Sequence, residues 1–326
     1  MPRSEEVTFS AGEIELAGTL TLPDDPPAPE APGRYPNVVL LASWLPRDRD
    51  GAYDRIGQPT WFGHGPMGVD EDALLHRLAD ALAAHGVASL RYDKRGCGAS
   101  GGSWADADLF TLIDDVRDAL GWVRSRRDLD LRRTGLAGHG EGVGLALSVA
   151  ISDPAVGALT LIGGSARSFR DALRRAVAER ARTGWDRDQP LVVALDRAAE
   201  ELIERADRGE RGFELPIPGG QRATLSLAWW EQAFRTPPLA LATMLHRSVA
   251  LVHGELDAWA DPAESRLLER FLLEGGNQPS LRVVSGARHE LAEAPDGVID
   301  EIAADLAARL LPRELPPVLL AIEGSE

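Results

Sequence analysis

Cysteine is almost absent from this chain: Cys97 is the only one in 326 residues. That excludes an internal disulfide and a cysteine metal cluster. Lysine is equally scarce. Lys94 is the single lysine among 35 basic residues, which reads as genome-composition bias rather than a binding signal. Positive charge is outnumbered, 35 basic against 51 acidic side chains, for a net charge of -16. Such a balance argues against a nucleic-acid groove or an anionic membrane surface as partner. No apolar run reaches membrane-spanning length. The opening MPRSEEVTF lacks the apolar core of a signal peptide, so a cytoplasmic protein is the expectation. Metal-ligand spacing is absent throughout, and neither a metal nor a cofactor is expected.

What is present is the profile of a soluble globular protein, 44% hydrophobic and 26% charged,. The length permits one large domain with an insertion, or two modest ones. Strand and helix periods alternate. Residues 7–10 and 14–22 read as an antiparallel opening pair, followed by a proline-rich connection over 23–36. The continuous apolar run NVVLLAS, 37–43, suits a strand buried on both faces. Further strands are expected at 87–92, 133–137, 156–163, 248–253 and 280–285. Helices are expected at 71–85, 107–126, 141–151, 262–275 and 298–311. Repeated βα units imply a mainly parallel sheet covered on both faces. The alternation breaks over 165–246, which is rich in arginine and glutamate, mostly helical in pattern, and carries Trp185, Trp229 and Trp230. The predicted organisation is an α/β core at 1–164 and 247–312, a helical lid at 165–246, and a loose tail at 313–326.

Between the strand at 133–137 and the helix after it lies LAGHGEGVG. Gly138-His139-Gly140-Glu141-Gly142 has the spacing of G-x-S-x-G, the turn that exposes a nucleophile between strand and helix. Gly140 stands where the serine belongs. Downstream, LVHGELD places Asp257 in the loop after one strand, and VVSGARH places His289 in the loop after the last. Elbow, acid, histidine is the chain order of a hydrolase triad on this kind of sheet. Asp257 has a plainer reading as a loop-capping aspartate, and His289 as an exposed loop histidine. Asp261, in Asp261-Pro262-Ala263-Glu264, carries the signature of a helix cap instead. Of the remaining histidines, His64 and His139 are the best candidates for a role beyond packing.

RYDKRGCGASGG (91–102), GLAGHGEGVG (135–144), LVHGELD (251–257) and GARH (286–289) together resemble the α/β-hydrolase superfamily, in particular its bacterial esterase and dipeptidyl-aminopeptidase-like branch. The resemblance covers about residues 36–165 and 248–311. It implies an α/β-hydrolase fold, His289 and Asp257 as base and orienter, and backbone N–H groups of Glu141 and Trp44 as an oxyanion hole. The family's elbow commonly reads GHSEGG, and a strand-end loop resembles HGSGPQDRDG. Here Pro46 and Asp48-Arg49-Asp50-Gly51 fit that loop. Its His-Gly pair has become Ala42-Ser43, with Trp44 and Leu45 replacing two small residues. An inactivating laboratory change would alter one residue, so two linked departures favour natural divergence.

Acyl-enzyme catalysis needs an oxygen or sulfur nucleophile beside a base. By sequence, neither His139 nor Glu141 replaces the missing one, and Cys97 sits in a turn where a small buried residue is the default. A His–Asp base still suits proton-transfer chemistry: elimination, isomerisation, cyclisation, or activation of water. Trp229 and Trp230 of the lid, with Trp61, Phe62 and His139, are candidate walls for a bulky, largely apolar small molecule. Three readings stay open: a hydrolase-derived enzyme using His289 and Asp257, set in specialised metabolism by family analogy; a serine esterase or peptidase-like hydrolase inactivated at Gly140; and a non-catalytic binding protein. Oligomeric state is open too, a homodimer included.

Overall fold

The computed structural model describes residues 2–24, 34–52, 73–184, 190–217 and 220–312. An eight-stranded sheet runs through it in the order β1-β2-β4-β3-β5-β6-β9-β10. β1 (Arg3–Ala11) and β2 (Ile14–Leu22) form the antiparallel opening pair, and β2 continues antiparallel onto β4 (Ala88–Tyr92). From β4 onward every neighbour is parallel: β3 (Tyr35–Leu41), β5 (Leu129–His139), β6 (Val156–Ile162), β9 (Ser248–Gly254) and β10 (Ser280–Val284).

The apolar run in β3 shows why this sheet needs cover on both sides. Successive side chains of a strand point to opposite faces. Val38 and Leu40 join a layer with α1 (Leu74–Ala84) and α9 (Val298–Arg309). Val39 and Leu41 join the other, with α2 (Leu109–Ser125), α3 (Glu141–Ser152) and α8 (Pro262–Glu274). Asp261 caps α8, accepting from the Ala263 N–H at 2.7 Å.

Between β6 and β9 the chain forms α4 (Phe169–Thr183), α5 (Pro190–Asp207), a hairpin of β7 (Gly212–Ile217) and β8 (Gln221–Ser226), α6 (Leu227–Arg235) and α7 (Pro238–Ala242). The helical reading of this insertion therefore needs one addition. The arginine- and glutamate-rich flanks are helical, but the alternating stretches 212–217 and 221–226 pair as antiparallel strands,. Leu195, Leu202, Leu225 and Trp230 of the insertion share the α2–α3 core layer. Among the described residues no helix is long and apolar enough to cross a membrane.

Candidate active site

The parallel strands all deliver their C-terminal ends to one edge, and the loops there carry the candidate residues. Asp257 lies in the loop after β9 and His289 in the loop after β10; both are buried. His289 Nδ1–H donates to Asp257 Oδ2 at 2.7 Å. The other carboxylate oxygen accepts the N–H groups of Trp259 and Ala260 at 2.8 and 2.9 Å, which fixes the plane of the acid. A second imidazole, His253, stands 3.3 Å from Oδ2 while its Nε2–H donates to the Ala260 carbonyl at 2.7 Å. Burial alone would raise the Asp257 carboxyl. Attraction to His289, with hydrogen bonds from His253 and His289, overcomes burial and holds the acid far below the usual carboxylate range,. Burial alone would lower the His289 imidazole. The Asp257 charge and hydrogen bond outweigh it, so the ring lies above its ordinary value of 6.5.

Facing this dyad is the turn between β5 and α3. Gly140 has φ 55° and ψ -109°, the left-handed geometry that presents a residue's side chain at the tip,. A Cβ built on Gly140 would lie 3.1 Å from His289 Nε2, where an elbow nucleophile belongs. It would also overlap the Ser43 Oγ. The position that a side chain at residue 140 would take is thus held by the Ser43 hydroxyl, just after β3. With Nδ1 protonated toward Asp257, Nε2 is an acceptor, and the Ser43 O–H donates to it at 3.3 Å.

The loop that carries Ser43 is firmly held. The buried Lys94 ammonium donates to the carbonyls of Ser43 and Leu45, at 3.2 and 3.1 Å, and to Glu141 Oε2 at 2.6 Å. Leu45 has φ 75°, a left-handed conformation costing about 1–3 kcal/mol for a non-glycine residue,. Buried Arg47 donates to the Trp44 and Gly51 carbonyls and to Glu290.

Above the dyad is a cleft whose floor is Ser43, Gly140 and His289. Phe169, Leu173 and Ala176 of α4 and Trp229 and Ala233 of α6 form a mainly apolar wall opposite. Trp44 ties the two sides together, with its ring 5.7 Å from Trp229 and 5.1 Å from Phe169.

No protein-family model matches the sequence, and no curated protein matches it. Solved structures do resemble its fold. DcsB, in complex with its substrate analogue, superposes with a TM-score of 0.65 at 15% identity, covering 95% of this chain and 100% of that one. Est1E from Butyrivibrio proteoclasticus, with ferulic acid bound, gives 0.60 at 15% identity, over 93% and 96%. GrgF from Penicillium sp. sh18, described as an α/β-hydrolase, gives 0.58 at 19% identity, over 94% and 99%. This chain has the α/β-hydrolase fold.

Within the α/β-hydrolase fold, the expected residues divide cleanly. His289, Asp257 and Gly140 converge. Glu141 and Trp44 flank them, and among the described residues neither backbone N–H has an acceptor. Trp229 lines the cleft. Trp230 does not: it is buried beside Phe169, Trp44 and Phe234. Neighbours on a helix project about 100° apart, so one ring of the pair meets the cleft and the other the core. His139 is likewise not a wall. It is buried, and its Nε2–H donates to the His289 carbonyl at 3.0 Å, so it holds the loop that carries His289 from beneath. Burial, together with the nearby His289 and Arg47 charges, depresses its ring to about 4 against the attraction of Glu290, and it stays neutral near pH 7. His64, Trp61, Phe62 and Trp185 lie outside the described residues.

His139, His289 and Glu290 are the group of three potential metal ligands that comes together among the described residues. Most of their atoms are engaged outside the group: His139 Nε2 by the His289 carbonyl, the His289 nitrogens by Asp257 and Ser43, and Glu290 Oε1 by Arg47, while His139 Nδ1 faces Glu290 Oε2 at 3.5 Å.

Sequence reasoning missed Ser43, Lys94, Phe169 and His253. The clearest signal was Lys94, the single lysine in a chain that otherwise uses arginine, placed where three acceptors converge on one compact ammonium,. The overlap at residue 140 also yields a prediction. Gly140→Ala puts a methyl onto the Ser43 Oγ at a backbone angle that disfavours side chains. It should cost about 1–3 kcal/mol and displace Ser43. Thermal unfolding measures the first effect and a crystal structure of the variant the second.

Proposed function

We propose that this protein is an enzyme acting on a small, largely apolar molecule, with His289 as general base, Asp257 as its orienter, and the insertion over residues 165–246 as a lid. The observation that carries this reading is the buried 2.7 Å Nδ1–Oδ2 contact at the floor of a cleft lined by apolar side chains. A binding protein would need the apolar wall but not an imidazole oriented by a carboxylate. The space within this open cleft, about 140 Å³, compares with cavities of roughly 150 Å³ that take a benzene ring,. One aryl or short acyl group fits beside His289, and the rest of a larger substrate extends outward. Est1E with its bound ferulic acid and DcsB with its substrate analogue are consistent with a small organic ligand in such a site.

The test is the pH dependence of turnover with p-nitrophenyl benzoate, whose acyl group matches that space. A general base works only when unprotonated, so the rate falls as pH drops through the His289 pKa. Because Asp257 raises that pKa above 6.5, the acid limb should stand above the ordinary histidine value,. Asp257→Asn removes the attraction and should move the limb to lower pH. A profile that is flat between about pH 5 and 8 would overturn the proposal.

A further inference from the structure

We infer that the nucleophile of this enzyme has moved rather than vanished: Ser43, at the end of β3, supplies the attacking oxygen from the space that Gly140 leaves open. The inference rests on His289 being the base.

Four observations converge. Ser43 is buried on the cleft floor, and His289 Nε2 is its Oγ partner among the described residues. Two further serines line the cleft, but neither is hydrogen-bonded to the imidazole; Ser148 spends its hydroxyl on the Gly144 carbonyl of its own helix. The hydroxyl and a side chain at residue 140 are mutually exclusive, since a Cβ on Gly140 overlaps the Ser43 Oγ. A serine at one position therefore requires a residue without a side chain at the other. Finally, the Ser43 backbone is immobilised by Lys94, and Leu45 in the same loop is held in a strained conformation, as expected where a side chain must be aimed,. A separation of 3.3 Å is ordinary for an unliganded nucleophile–base pair, which tightens with substrate,.

The chemistry that follows is acyl transfer from a carboxylic ester or thioester. The Ser43 O–H proton passes to His289 Nε2 as Oγ attacks the carbonyl carbon. The carbonyl π electrons move onto its oxygen, where the unpaired backbone N–H groups of Glu141, at the N-terminus of α3, and Trp44 can receive the charge. Collapse of the tetrahedral intermediate breaks the bond to the alcohol or thiol, which leaves with the proton from His289. An acyl group remains on Ser43. Water, or a nucleophilic group of the substrate itself, then gives its proton to His289 and attacks that acyl carbon. Ser43 leaves with the proton returned to Oγ. The cycle needs no redox partner.

The experiment uses the full chain with a fluorophosphonate probe and p-nitrophenyl benzoate, and maps the modified peptide by mass spectrometry. Labelling of the wild type at Ser43 is expected, together with loss of label and at least an about 10³-fold fall in benzoate turnover in Ser43→Ala. The double variant Ser43→Gly/Gly140→Ser should carry the label at residue 140. A folded wild type that reacts at no serine, or reacts elsewhere, overturns the inference. So does a folded double variant that stays unlabelled, because the two positions then do not share one oxygen site. If Ser43→Ala keeps turnover while His289→Ala loses it, the nucleophile inference fails and the general-base reading stands. If His289→Ala keeps turnover, the base reading falls with it. The wild-type mapping needs no variant and decides the case even if Ser43→Ala misfolds.

Discussion

His289→Ala is expected to lower turnover of p-nitrophenyl benzoate by about 10⁴-fold or more while the protein stays folded. General acid–base assistance alone is worth roughly 10²–10⁴ in rate. A base that also activates a nucleophile acts as part of a unit, and removing one member then costs nearly as much as removing all. Stability should suffer much less, because Asp257 does not become an orphan. Its carboxylate keeps the N–H groups of Trp259 and Ala260 and the nearby His253. The cost is that of one charge-assisted hydrogen bond, about 1.5–3 kcal/mol. Asp257→Asn is the informative companion. An amide at this position can present N–H to Nδ1, which leaves Nε2 protonated and unable to accept from Ser43. A loss of about 10⁴-fold is expected from that wrong tautomer. Thermal denaturation alongside kinetics separates the two effects. Unchanged turnover in a folded His289→Ala protein would remove the imidazole from the mechanism.

The fold, and the placing of Asp257 and His289 in the candidate site, were legible in the sequence for a definite reason. Strand–helix alternation and the order elbow, acid, histidine are properties of neighbouring residues, and they fix which loops meet at the sheet edge. Asp257 and His289 follow from that order alone. Ser43 does not. In the chain it appears as a departure from the His-Gly pair of the resembling loop, and Gly140 appears as a second, separate loss. The juxtaposition of Ser43 and Gly140 on which the proposal rests emerges only when β3 and β5 lie side by side in parallel register, with Leu41 opposite Gly138. Trp229 and Trp230 show the same limit at smaller scale: composition places both in the insertion, and only the rotation of α6 decides which one meets the cleft. The hairpin β7–β8 was obscured differently, by helical arginine–glutamate composition on either side of it.

Lys94→Met should produce the largest loss of stability of any single change at the site. Lys94 and Glu141 form a buried ion pair at 2.6 Å, and removing one partner of such a pair costs about 3–5 kcal/mol because the other charge is left uncompensated,. Burial raises the Glu141 carboxyl above its ordinary 4.5, and the Lys94 charge is the main force pulling it back. Without the lysine the carboxyl moves further up, so the folded protein keeps its proton to higher pH than in the wild type. The folded variant then holds a proton that the unfolded chain releases near 4.5, so its stability falls as pH rises past that value,. Denaturant unfolding should accordingly show a deficit relative to wild type that is larger at about pH 8 than at about pH 5. Turnover should fall as well, since the same ammonium holds the Ser43 and Leu45 carbonyls that aim the hydroxyl. A deficit equal at both pH values would mean that the Glu141 charge does not depend on Lys94. The lysine would then act only as a clamp on the loop, and its substitution should cost turnover without a pH-dependent loss of stability.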